Sequence, residues 1–102
     1  VTTKGCSLVV KERIRQIEKE GWSRKHDDSE HTGGELLRAG ILYAAQADAN
    51  DLELDDVIRV LSWPWDKESD KRAKHSPLRC LIIGAALLIA EIDRRTALGE
   101  KP

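Results

Sequence analysis

The sequence predicts an all-α fold, an antiparallel three- to four-helix bundle that self-associates, and three observations carry that expectation. The first is Cys80–Ala90, CLIIGAALLIA, eleven residues without a charge. A bilayer crossing needs about 20 apolar residues, so this stretch is a core helix rather than a membrane span. It is apolar on every side and must be covered from more than one direction, by a bundle or by a second subunit. The second observation is helical spacing elsewhere: Val10, Ile14 and Ile17 in one stretch, Leu54, Val57, Ile58 and Leu61 in another. The third is that no segment alternates with a strand period and none repeats. At 102 residues the chain is expected to form one domain over 1–102.

Each element has its own signals. Ser7 is a candidate N-cap for a first helix over 7–20, with Val10, Ile14 and Ile17 as its inner stripe and Lys11, Glu12, Arg15, Glu18 and Lys19 on wet faces. Gly21 suits the helix end. After the polar segment Ser23–His31, Thr32-Gly33-Gly34-Glu35 has the form of a capping box and opens a helix over 33–47. Leu36, Leu37, Ile41, Tyr43 and Ala44 make its apolar side, and Gly40 permits a close crossing. A shorter helix is expected over 52–61. The charged run 66–75 lacks apolar spacing and reads as a loose connection. Ser76-Pro77, an N-cap followed by proline at the first helical position, starts the last helix over 77–98. Within it, Gly84, Ala85 and Ala86 let a neighbouring backbone come near.

Phe and Met are absent and aromatics are 4% of residues, so the core must be aliphatic. Cys6 and Cys80 are too few for a disulfide scaffold, and Cys80 inside the apolar helix reads as a buried thiol. Val1–Val10 lacks a signal-peptide core, which points to a reduced, cytoplasmic setting. The net charge of −1 conceals a pattern: an acidic middle, His26–Asp56, lies between basic flanks. That pattern argues against a uniform nucleic-acid surface, and suits internal pairing, a metal or a basic partner.

Candidate chemistry gathers at one end of such a bundle. If the 33–47 and 77–98 helices pack antiparallel, Glu35 comes near Glu91. The HDDSEH segment then adds His26, Asp27, Asp28 and His31 at the same end. Carboxylates and imidazoles so gathered suit a divalent cation, Mg²⁺ or Mn²⁺ by their oxygen majority, with Zn²⁺ or Ni²⁺ admitted by the two histidines. The same residues would otherwise cap and bond the backbone. Trp63-Pro64-Trp65 either closes the core or offers aromatic faces to a base. Lys74 and Arg79 stand where phosphates can be bound, and Arg94 can pair with the acidic cluster or serve a ligand. Nothing here forms a conventional nucleophilic site or a glycine-rich phosphate loop.

The segments ERIRQIEKEGW (Glu12–Trp22), HDDSEHTGGEL (His26–Leu36), WPWD (Trp63–Asp66) and AALLIAEIDRR (Ala85–Arg95) resemble small proteins of phages and prophages. In the order of its parts the chain is also distantly similar to the all-α, MazG-type nucleoside triphosphate pyrophosphohydrolases. That resemblance implies a Mg²⁺ site on paired acidic motifs, oligomeric assembly and a bacterial host cytoplasm. The motifs here are altered, since Glu35 is followed three residues on by Arg38, and Glu91 by Arg94. The expectation is therefore a homodimer that binds a nucleotide-like ligand, with metal-dependent hydrolysis left open. The alternative is a non-enzymatic phage interaction protein that binds a host protein.

Overall fold

The computed structural model describes residues 2–19, 34–47 and 61–102. These form three α-helices: α1 (Lys4–Lys19), α2 (Glu35–Gln46) and α3 (Pro77–Ala97). Two 3₁₀ turns, Lys67–Ser69 and Arg72–Lys74, precede α3. Among the described residues there is no strand, and no helix is long and apolar enough to cross a membrane. The expected helix over 52–61 lies outside the described residues, apart from Leu61.

Helix α3 starts where the sequence placed it. The Ser76 hydroxyl accepts a hydrogen bond from the Arg79 N–H at 3.2 Å, and Pro77 occupies the first helical position. Its C-terminus closes in a Schellman motif: Glu100 N–H donates to Arg95 O at 3.1 Å and Gly99 N–H to Thr96 O at 3.0 Å. Gly99 supplies the left-handed φ of 93° that this motif requires.

The other two starts differ from expectation. Helix α1 begins at Lys4, and its cap is Thr3, whose Oγ1 accepts from Cys6 N–H at 3.2 Å; Ser7 lies within the helix. Thr3 has the same capping chemistry three residues before the first fully helical turn, so the helix extends back to it. Helix α2 begins at Glu35 with Gly34 in the N-cap position and no side-chain cap.

Helix α2 packs most extensively on α3, and α1 also lies against α3. The α2–α3 contact is a backbone approach. A Cβ at Gly84 would stand 2.7 Å from Ala44 N and 2.8 Å from Gly40 O, so only glycine fits there. Around this crossing Leu36, Ala39, Tyr43, Cys80, Ile83, Leu87 and Ala90 form the core, and Trp63 and Trp65 pack against it.

Helix α1 reverses its expected orientation. Val10, Ile14 and Ile17 are 52%, 48% and 40% exposed, whereas Glu12, Arg13 and Gln16 are only 2%, 7% and 0% exposed. Partners on α3 decide this. Arg79 pairs with Glu12, and Asp93 pairs with Arg13 at 3.4 Å. Arg79 and Asp93 lie fourteen residues apart on α3, about 21 Å along a helix. Adjacent residues of α1 reach both.

Candidate functional site

The site grows from Glu12. Its side chain is fully buried and receives Arg15 in a bidentate pair, Nε and Nη2 each at 2.9 Å. Arg79 of α3 and the Gln16 amide nitrogen, at 3.2 Å, complete its shell. Burial alone would raise the Glu12 carboxyl, but the hydrogen bonds and charges of Arg15 and Arg79 outweigh it and hold the pKa below the usual carboxylate range. The carboxylate therefore stays ionised and fixes the Gln16 amide, because only the NH₂ end of that amide can face it. The other end, Gln16 Oε1, is buried and has no hydrogen-bond partner among the described residues.

Opposite Gln16 stands an aromatic group. Trp63 meets Tyr43 edge-on at 5.8 Å between ring centroids and Trp65 edge-on at 5.5 Å. The Arg72 guanidinium lies over the Trp63 ring at 5.2 Å. The indole N–H of Trp63 donates to Asp66 O at 3.1 Å and to Ser69 Oγ at 3.2 Å. The run 66–75, expected as a loose connection, is thus tied down. Its two 3₁₀ turns supply Ser69 and Arg72 to Trp63, and Asp70 grips Arg72 through both carboxylate oxygens at 2.6 and 2.9 Å. That hydrogen bond, against burial, keeps the Asp70 carboxyl low and raises Arg72. Burial pushes the Tyr43 phenol up despite a hydrogen bond with the Lys71 backbone. Burial likewise raises the Cys80 thiol, which donates to Arg72 O at 3.4 Å.

Between Gln16 and the aromatic group lies a cavity of ≈ 200 Å³. Tyr43, Trp63, Trp65 and Ile83 supply its apolar lining, Gln16 a buried amide, and Arg15, Lys71 and His75 its basic edge. Such a combination of a mostly apolar hollow and a few placed polar groups is the usual form of a small-molecule site.

Of the residues singled out in the sequence, Trp63 and Trp65 line this cavity. Both rings also pack against the core. Lys74 and Arg79 do not line it: Lys74 is exposed in the second 3₁₀ turn, and Arg79 is engaged with Glu12. Arg94 is buried and holds Glu91 through two hydrogen bonds of 2.8 and 3.0 Å, while Arg95 adds a third at 2.9 Å. Hydrogen bonding by Arg94, opposed by burial, lowers the Glu91 pKa. Glu91 and Arg94 thus pair with each other, the pairing that the sequence offers as one reading of Arg94. His26, Asp27, Asp28 and His31 lie outside the described residues. Glu35 opens α2. Among the described residues no group of three or more His, Cys, Asp or Glu is placed to hold a metal ion.

Sequence reasoning missed Gln16, Arg15, Tyr43, Lys71 and His75 as lining residues. The only signal for Gln16 was its place four residues after Glu12, the spacing at which helical side chains meet. A second hollow, an apolar groove of ≈ 530 Å³, runs along the outer face of α1 past Leu8, Val10 and Ile14. No protein-family model, curated protein or solved structure matches this chain.

Proposed function

We propose that this small phage-type helical protein binds a nucleotide-like small molecule, and that the cavity beside Gln16 is where it does so. The observation that carries the reading is the joining of aromatic walls and a basic edge in one hollow. Aromatic rings favour a flat heterocycle, and Lys71 at the rim favours an anionic group attached to it. Metal-dependent hydrolysis needs more than this: with Glu91 held by Arg94 and Arg95, the ligands would be His26, Asp27, Asp28, His31 and Glu35. Titration of the intrinsic tryptophan fluorescence with nucleoside mono- and triphosphates, with and without Mn²⁺, tests both steps. Binding weakened about tenfold or more by Trp65→Ala supports the cavity. Binding unchanged in that variant removes it. A dependence on Mn²⁺ that is lost in Glu35→Ala supports the metal.

The alternative, a non-enzymatic protein that works through protein contacts, is favoured by a different observation. The outer faces of two helices are apolar and exposed, Val10, Ile14 and Ile17 on α1 and Leu78, Leu81 and Ile92 on α3. Apolar groups clustered on a surface mark contact sites. The occupant we favour is a second copy, because Leu78, Leu81 and Ile92 of the all-round apolar α3 stay exposed although α1 and α2 both lie against it. In this reading the bundle is completed by dimerisation, and a host protein could compete for the same face. Sedimentation of wild type and Ile14→Asp tests it: a dimer converted to monomer supports it, and a wild-type monomer at high concentration rejects it.

A further inference from the structure

The outward stripe of α1 carries a charge pattern of its own. Val10, Ile14 and Ile17 recur at the spacing of a seam that packs against another helix, and all three are exposed. Lys11 and Glu18 each follow a seam residue directly, Val10 and Ile17, so they stand on the same edge of it, about 10 Å apart. Both are exposed, and neither makes an ion pair among the described residues. The other edge of the seam holds Cys6 and Arg13, and Arg13 is buried and committed to Asp93. A groove of ≈ 530 Å³ opens beside the stripe, with Leu8 and Lys11 in its wall.

This pattern complements itself in one orientation. When two such helices pack parallel, the edge with Lys11 and Glu18 faces the partner's other edge. Lys11 then meets only Cys6, and Glu18 only an Arg13 that Asp93 already holds. When they pack antiparallel, like edges meet, and two-fold symmetry brings Lys11 of each copy to Glu18 of the other. The helix dipoles are then opposed as well. We propose that α1 packs antiparallel on α1 of a second copy, with Ile14 of each stacked on Ile17 of the other and two Lys11–Glu18 pairs at the rim. The inference rests on the second-copy reading of the exposed apolar faces, and adds to it the helix that mates and its direction. A seam this short covers less than the roughly 1,200–2,000 Å² of a stable protein interface, so the dimer is weak. Its charges set the orientation.

The test is sedimentation of the full chain over a concentration series at low salt, in wild type, Lys11→Glu, Glu18→Lys and the double exchange. Each single reversal sets like charges together at both pairs, and is expected to weaken dimerisation about tenfold or more. The double exchange restores opposite charges and is expected to return it to the wild-type level. A single reversal without effect, or a double exchange as weak as the single ones, overturns the antiparallel pairing. In that case a wild-type dimer still supports a second copy, seated on Leu78, Leu81 and Ile92 of α3 instead. A wild type that stays monomeric at the highest concentration overturns this inference and the second-copy reading together. Lys11 and Glu18 are exposed, so the variants are expected to keep the wild-type circular dichroism, which checks that association alone has changed.

Discussion

The two surfaces that α3 offers its neighbours are built on opposite principles. Against α2 it presents glycine, alanine and leucine, and the backbones approach until Gly84 touches Gly40 and Ala44. Against α1 it presents Arg79 and Asp93, and receives Glu12 and Arg13. The first contact is specified by shape and by removal of apolar surface from water. The second is specified by charge, since Glu12 is buried only because Arg15, Gln16 and Arg79 together replace its water. The contrast explains why α1 turns its isoleucines outward. The apolar gain of burying Ile14 and Ile17 competes with three buried polar residues, Glu12, Arg13 and Gln16, whose partners would be lost if the helix rolled over.

The apolar contact should break most severely. Leu87→Ala empties a fully buried site and is expected to cost about 3 kcal/mol in chemical denaturation. Gly84→Ala drives a methyl into two backbones that cannot yield, and about 2 kcal/mol is expected from the same measurement. The charged contact should show a smaller loss, because Arg15 and Arg79 are partly exposed and water can replace the missing partner. Glu12→Gln is expected to cost about 1–2 kcal/mol at neutral pH.

That second contact also carries a pH signature which the first lacks. The Glu12 carboxyl is held below its ordinary pKa by Arg15 and Arg79, so it stabilises the fold above the unfolded value of about 4.3. The contribution is lost as pH falls through the lowered folded value. Denaturation midpoints followed from neutral pH into acid should therefore fall in wild type. They should fall less in Glu12→Gln, and no less than wild type in Leu87→Ala. The smallest effect should come from the stripe that sequence periodicity places inside. Ile14→Asp is expected to change the stability of a single chain by no more than about 0.5 kcal/mol. A loss near 3 kcal/mol in that variant would mean that the stripe is covered.

Much of α3 was legible without coordinates. Its cap at Ser76-Pro77, its apolar middle and the close crossing at Gly40 and Gly84 follow from local chemistry, because each signal lies within the segment that uses it. The site was less legible. Trp63 and Trp65 were visible as a pair that could serve a core or a ligand, and they line the cavity while packing on the core. Gln16 was not visible, since an unremarkable polar residue on a charged helix gains its meaning only when α3 arrives. Arg94 and Glu91 were legible in one of their two readings: a spacing of three residues sets them on one helix face, where they pair.

By itself the sequence determined the all-α class, the aliphatic core and the helix ends that rest on capping and turn residues. These are short-range matters of backbone geometry and water avoidance. Only the tertiary structure decided which face of α1 is buried and where the cavity lies. Those depend on Glu12 meeting Arg79 and Arg13 meeting Asp93, pairs separated by 67 and 80 residues. Periodicity measures how apolar a face is. It carries no information about the distant charge that makes a polar face the better one to bury.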